Sequence, residues 1–257
     1  MKMIKFILNH IPRPVLQRVA GWAVPLAGLV YAGRGVECPV CGAKYRRFMS
    51  YGYVESRPNA LCPRCLALER HRLLWLWLTR QTDMLATAPI FLHIAPEVSL
   101  MRQFDKIYAG GAAERYVTAD LESPLAKVKM DVQAIPFAAG SFDVIFCNHI
   151  LEHVADDRRA MSEMYRVMRH GGWGVMLSPI DEARATTFED DSVTDPAERT
   201  RLFGQYDHRR VYGRDYADRL RSVGWQVENI DYYASLTPAE QTLYALRPEP
   251  LYIVRKP

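Results

Sequence analysis

Apolar positions over residues 90–257 fall into short runs separated by stretches with helical spacing. Ile90–Ile94, Arg115–Asp120, Lys129–Val132, Phe142–Cys147, Trp173–Leu177, Trp225–Tyr233 and Pro250–Arg255 read as strands. The run Phe142–Cys147 is rich in Phe, Val and Ile, and the turn Ala139-Gly140-Ser141 precedes it. A run of that kind is what a strand buried on both faces of a parallel sheet requires. Asp157–Arg169 reads as a helix, with Met161, Met164, Tyr165 and Met168 as its core stripe and Gly171-Gly172 as its stop. Asp215–Val223 reads as another, closed by Gly224. Alternating strands and helices predict an α/β domain over 90–257. Residues 178–212 are polar and carry Asp181, Glu182, Glu189, Asp190, Asp191 and Asp195, followed by Phe203-Gly204-Gln205-Tyr206-Asp207-His208. A connection this long is usually a loop over a substrate.

Residues 34–80 follow a different pattern. Cys38-Pro39-Val40-Cys41 and Cys62-Pro63-Arg64-Cys65 are separated by twenty residues. Two Cys-x-x-Cys pairs at this distance predict one closed, tetrahedral, structural Zn2+ site on Cys38, Cys41, Cys62 and Cys65. Tyr45–Val54 reads as ribbon strands, so the module is zinc-ribbon-like, and Leu66–Thr79 reads as a helix apolar almost all round. Residues 81–89 read as a linker. Residues 1–33 are apolar and basic, but their uninterrupted part, Ala20–Gly33, contains Pro25 and falls short of the ~20 residues of a membrane span. Two readings stay open there: an amphipathic segment lying on a membrane surface, with Lys2, Lys5, Arg13 and Arg18 at the head groups, or a helix docked on the protein's own core. No signal-peptide pattern is visible, and clustered cysteines fit a reducing compartment. The expected location is therefore cytoplasmic, with peripheral membrane contact as the added option.

Charge changes this picture in one respect. The 257 residues carry a net +4, but residues 1–80 hold 13 Lys/Arg against three acids, and the remainder is net −6. A basic front is compatible with phosphate-bearing partners, through Arg46, Arg47, Arg64, Arg70 and Arg72, or with no partner at all. The lone Cys147 lies in an apolar run and reads as core.

The pattern Asp131…Ile135-Pro136-Phe137…Ser141-Phe142-Asp143-Val144-Ile145…Leu151-Glu152-His153-Val154 resembles the central part of class I S-adenosylmethionine-dependent methyltransferases, in particular a type 11-like group with an amino-terminal four-cysteine module. The resemblance covers about residues 34–257. It implies a Rossmann-like, seven-stranded, mostly parallel sheet flanked by helices, closed by an antiparallel pair of strands. It also implies a cofactor lying across the carboxyl ends of the strands. Asp120 would hold the ribose and Asp131 the adenine amino group, with Leu121 and Val132 beside them. His93, Ala95 and Glu97 would take the amino-acid end, and Asn148 and His149 would face the methyl group. Here the chain departs from the family. Where an acid and a Gly-x-Gly loop are expected it reads His93-Ile94-Ala95-Pro96-Glu97, with bulk in place of glycine and one donor fewer.

Methyl transfer to a hydroxyl gains from a base, and His149 and His208 are the catalytic candidates. His153 reads as packing at a helix start, and no Ser-His-Asp or catalytic-metal pattern stands out. Two function classes remain. One is a methyltransferase acting on a small-molecule, glycan or lipid-linked acceptor. The other is a non-catalytic or RNA-directed zinc-module protein with a degenerate methyltransferase domain; nucleic acid is the less favoured partner.

Overall fold

The computed structural model describes residues 28–52, 56–110 and 112–257. The reading of residues 1–33 as a helical segment therefore lies largely outside the described residues; Gly28–Tyr31 form a 3-10 turn with Leu29 and Val30 exposed. The chain divides into two compact units: one with the chain up to Trp77, Val98–Leu100 and Leu236–Arg247, the other with Leu78–Glu97, Met101–Ser235 and Pro248–Pro257.

In the first unit, strands β1 (Ala32–Glu37) and β2 (Lys44–Tyr45) pair antiparallel, as do β3 (Met49–Tyr51) and β4 (Arg57–Leu61). The ribbon strands read over Tyr45–Val54 thus belong to two separate pairs among the described residues. Each Cys-x-x-Cys sits on a tight turn of one design. Gly42 N–H donates to Cys38 O, and Cys38 N–H to Ala43 O; Leu66 N–H donates to Cys62 O, and Cys62 N–H to Ala67 O. Gly42 (φ 69°) and Leu66 (φ 66°) both adopt the left-handed conformation that closes the turn. Helix α1 (Glu69–Gln81) follows, and its Leu73–Leu78 stretch is buried throughout. Arg72 has no exposed surface. Its guanidinium donates to the carbonyls of Ala60, Ala67, Tyr244 and Ala245 and lies 4.4 Å over the Phe48 ring. That withdraws Arg72 from the arginines available to a phosphate: every contact it makes is internal. The contact also ties the second knuckle to the segment around helix α2 (Pro238–Leu243), which lies inside the 90–257 span.

The second unit is built on one seven-stranded sheet. Its strands are β5 (Phe91–Ile94), β6 (Tyr116–Asp120), β7 (Val128–Lys129), β8 (Phe142–Asn148), β9 (Met168–Leu177), β12 (Gln226–Ile230) and β13 (Leu251–Arg255), in the order β12-β13-β9-β8-β5-β6-β7. β5, β6, β7, β8 and β9 are parallel to their neighbours, and β13 runs antiparallel between β9 and β12. β8 is buried at all but Asp143, as a continuous apolar run at the centre of a sheet demands. Burial of Phe142, Val144, Ile145 and Phe146 contributes roughly 1.5–3 kcal/mol each. Helix α3 (Val98–Tyr108) follows β5 and helix α4 (Asp157–Val167) follows β8. Met161 and Met164 of α4 are fully buried in the same core as Ile145 and Cys147.

Several boundaries differ from the sequence reading: the strand read to Tyr233 ends at Ile230, and the linker 81–89 holds a short helix, Met84–Thr87. β7 ends at Lys129, so Asp131 and Val132 lie in the turn after it. α4 stops at Val167 and β9 already begins at Met168, because Met168 pairs with Phe142 across a register shift before Trp173. The connection 178–212 has structure of its own: a bridge of β10 (Phe188–Glu189) with β11 (Arg210–Val211), and helix α5 (Pro196–Phe203), capped by Asp195. Helix α6 (Tyr216–Arg221) then leads to β12. Among the described residues no helix is long and apolar enough to cross a membrane.

Candidate active site and metal centre

The sheet reverses its winding between β5 and β8: the chain goes from β5 outward to β6 and β7, then returns to the other side of β5 for β8 and β9. In open α/β sheets ligands bind outside the carboxyl ends of the strands at this switch point. The residues at that edge are Ala95, Glu97, Asp120, Asn148 and His149. Ile94 pairs with Ala119 on one side and Cys147 on the other, and the Ala95 N–H donates to Ala119 O at 2.8 Å. The three strand ends therefore lie level.

One hydrogen bond crosses the switch point itself. The Asn148 amide donates from Nδ2 to Glu97 Oε1 at 3.0 Å, and Glu97 Oε2 is 2.6 Å from His93 Nε2. His93 is fully buried among Phe91, Phe104, Tyr116 and Phe146, with its Nδ1 2.9 Å from the Tyr116 hydroxyl. With both ring nitrogens engaged and no exposed surface, His93 cannot touch a ligand; it holds Glu97. Four residues after His93, Glu97 thus brings a carboxylate to the end of β5, beside Asn148. Ala95 takes φ 47°, the left-handed conformation a glycine adopts freely, so the loop keeps that turn without glycine. Asn148 is buried, and its Oδ1 accepts no hydrogen bond among the described residues. A buried acceptor without a donor costs about 1–3 kcal/mol, so this oxygen is open to a donor from water or from a ligand.

Asp120 closes a turn through Oδ1, which accepts from the N–H groups of Glu122 and Ser123, both at 2.7 Å. One oxygen thus fixes the carboxylate on its own turn. Asp131 is exposed and engaged with Gln133, accepting its N–H at 2.8 Å. Leu121 is exposed, whereas Val132 is buried in the core. Those two, both expected beside the cofactor, sit in opposite environments.

His149 follows β8 with φ 55°, a second left-handed residue at this edge. Its Nδ1 is 3.5 Å from Glu152 Oε1 and its Nε2 is 3.5 Å from Glu249 Oε1. Glu152 is almost wholly buried and accepts from the Ser178 hydroxyl at 2.9 Å. Burial alone would raise its pKa, but the hydrogen bond and charge of His149, with His153 adding to them, hold the carboxyl below its usual range. His208 lies 4.7 Å from His153, ring to ring, and its Nδ1 is 3.1 Å from Phe203 O. Burial, reinforced by His153, lowers the pKa of His208. Glu249 was missed at the sequence level, and Glu152, read there as a polar group following the central strand, was given no role. Glu152 carried a signal, a charge inside the apolar stretch Leu151–Val154, but its partners come from other parts of the chain.

In the first unit the four cysteine sulfurs lie within 4.8 Å of one another, with Cys38–Cys65 at 3.6 Å and Cys41–Cys62 at 3.8 Å. Sulfurs about 2.3 Å from one tetrahedral ion stand about 3.8 Å apart, so the donor set fits zinc. Hydrogen bonding among these sulfurs raises the thiol pKa of Cys38 and Cys65 and lowers that of Cys41 and Cys62.

Residues 101–176, which run from α3 to β9, match the family model described as "Methyltransferase domain". The "Uncharacterized 37.1 kDa protein in transposon TN4556" of Streptomyces fradiae is 29% identical over 108 residues, covering 42% of this chain and 31% of its own, so the chain spans under a third of that relative. A solved S-adenosylmethionine dependent methyltransferase from Mesorhizobium loti is 15% identical, with 65% of this chain and 91% of that chain covered at a TM-score of 0.45. A structure described as PigF with SAH is 17% identical, with 71% and 60% covered, also at 0.45. The segment that matches the methyltransferase model runs through the centre of the seven-stranded sheet, across its switch point, and the four-cysteine module lies outside it.

Proposed function

We propose that the protein transfers the methyl group of S-adenosylmethionine to a hydroxyl of a small-molecule, glycan or lipid-linked acceptor, and that Cys38, Cys41, Cys62 and Cys65 hold a structural zinc ion. The observation that carries the reading is the Glu97–Asn148 hydrogen bond across the switch point, beside a buried Asn148 Oδ1 that lacks a donor. When bound, the cofactor supplies an activated methyl group. The chain's own residues do the rest. Asp120 presents one carboxylate oxygen to ribose hydroxyls, and Asp131 lies on the turn after β7 for the adenine amino group. Glu97, held by His93, faces the amino-acid end together with the backbone at Ala95.

His149 is the proposed base. Glu152 and Glu249 flank its two nitrogens at 3.5 Å, separations that tighten in many active sites only when substrate is present. Either carboxylate would stabilise the imidazolium formed as the acceptor hydroxyl gives up its proton. Holding acceptor and donor in line supplies most of the remaining rate. His208 is assigned to the acceptor side of the site. Zinc would join the two cysteine knuckles into one folded module. Contact of residues 1–33 with an anionic membrane surface would suit a lipid-linked acceptor, and flotation with anionic vesicles tests it. The chemistry is tested by incubating the chain with methyl-labelled cofactor and a panel of hydroxylated acceptors. Label transfer that falls in Asp120→Ala and His149→Ala supports it. Absence of both transfer and cofactor binding favours the degenerate, non-catalytic alternative.

A further inference from the structure

Outside the four-cysteine centre, one other group of ligating side chains converges among the described residues. Glu152, His153 and His208 each present a ligand atom, and these atoms lie within 4.8 Å of one another. Glu152 and His153 follow β8; His208 comes from the turn between α5 and β11, more than fifty residues later. The chain holds this meeting place rigidly. Arg210, two residues after His208, is buried and donates to the carbonyls of Leu151, Val154 and Ala155, at 2.6, 2.7 and 3.0 Å. The Arg209 N–H donates to Glu152 O at 2.9 Å. The segment carrying two of the ligands is thereby stitched to the segment carrying the third.

Each ligand is also oriented as a metal ligand is. The Phe203 carbonyl can only accept, so His208 donates to it through Nδ1 and carries its lone pair on Nε2. A backbone carbonyl behind one ring nitrogen is the common support of a metal-bound imidazole. Asp207 Oδ2 stands 3.5 Å from His153 Nδ1. The Ser178 hydroxyl fixes Glu152 Oε2 and His149 Nδ1 stands 3.5 Å from Oε1, which leaves one further lone pair on each carboxylate oxygen for an ion. Ligand atoms about 2.1 Å from one ion stand about 3–3.4 Å apart, so rotations moving these atoms by about 1 Å complete the set.

We propose that Glu152, His153 and His208 form a second metal site, which takes one divalent transition-metal ion of the Zn2+, Co2+ or Mn2+ kind and leaves further positions open to oxygen ligands. Two imidazoles and one carboxylate suit such ions; Mg2+ prefers oxygen throughout. The site does not rest on methyl transfer, since its ligands and supports are complete without the cofactor.

The test uses the full chain, purified with its thiolate-bound metal in place. Equilibrium dialysis against Zn2+, followed by metal analysis, should give one ion per chain beyond the four-cysteine complement. Co2+ added in the same way should give d–d absorption without new thiolate charge-transfer bands. His208→Ala and His153→Ala should each weaken binding of this ion at least tenfold, while His170→Ala leaves it unchanged. Should an alanine variant fail to fold, as judged by its melting curve without added metal, His208→Asn and His153→Asn serve instead. Mg2+ at equal concentration should not compete. No ion beyond the four-cysteine complement, or an ion kept by the folded His153 and His208 variants, overturns the proposal.

Discussion

At the scale of single residues, the candidate site is a row of polar groups whose roles their hydrogen bonds distinguish. Asp120 spends one oxygen on its own turn, and in the proposed function the other meets the cofactor. Asp120→Ala should weaken binding of S-adenosylmethionine by about 1–3 kcal/mol, the range for losing a charged hydrogen-bond partner, as read by calorimetry. His149→Ala should lower turnover by about 10²–10⁴-fold, the usual contribution of a general base, with cofactor affinity nearly unchanged. A parallel loss of affinity would make His149 a binding residue instead. Ala95 tests the loop. At φ 47° it carries strain of roughly 1–2 kcal/mol, while glycine loosens the unfolded chain by about 0.4–1 kcal/mol. Ala95→Gly should therefore be neutral or stabilising by up to about 1 kcal/mol in urea unfolding. A loss of that size would mean the left-handed turn is not what the residue supplies.

At the scale of elements, much was legible and the failures have physical causes. The strands at Phe91–Ile94, Tyr116–Asp120, Phe142–Asn148 and Leu251–Arg255 stand where the apolar runs put them. The helix after β8 ended early because Met168 is drawn into the sheet opposite Phe142, a tertiary pairing that outweighs local helical spacing. His93 and Glu97 show the same limit at the site. The missing glycine loop could be read from the sequence, but the route by which Glu97 reaches Asn148 could not, since it depends on two strands separated by many residues. The connection 178–212 read as a polar loop because its arginines and acids look solvated in sequence. In the fold, buried Asp157 at the start of α4 accepts from Arg219 of α6 at 2.8 and 3.0 Å and from Tyr212 at 2.8 Å, and Glu189 of β10 joins Arg210 and Arg219. Burial would raise the Asp157 pKa; the hydrogen bonds from Arg219 and Tyr212 and the charges of Arg210 and Arg219 prevail and hold it below the ordinary carboxylate value. A depressed folded pKa gives stability that is present above the unfolded value near pH 4 and lost as pH falls through the folded one. Asp157→Asn should cost about 3–5 kcal/mol at neutral pH, the usual penalty for stranding a buried charge. The difference between the variant and the parent should shrink on acidification below about pH 4. A constant difference across that range would separate the loss from the charge.

At the scale of the whole molecule, the chain joins two kinds of unit, each with its own source of stability. The second unit has a continuous apolar core along its sheet. The first has short strands and a cluster of four cysteine sulfurs that fits zinc, and a bound ion there would stabilise what a small core cannot. Cys62→Ser should remove the thiolate-bound ion, seen as loss of thiolate charge-transfer absorption in cobalt-loaded protein, and should lower the melting temperature. An unchanged spectrum would mean the four sulfurs do not share an ion. The basic charge of residues 1–80 was legible at once, yet Arg72, one of its contributors, proves to be a buried brace whose contacts are all with backbone carbonyls and an aromatic ring. The central claim concerns the other unit: that its switch point holds S-adenosylmethionine although the glycine loop is gone. Calorimetric titration of the full chain with S-adenosylmethionine and with its demethylated product tests it most directly. The account predicts one binding event per chain for each, weakened in Asp120→Ala. Saturating concentrations that give no binding heat, with or without candidate acceptors, would contradict it.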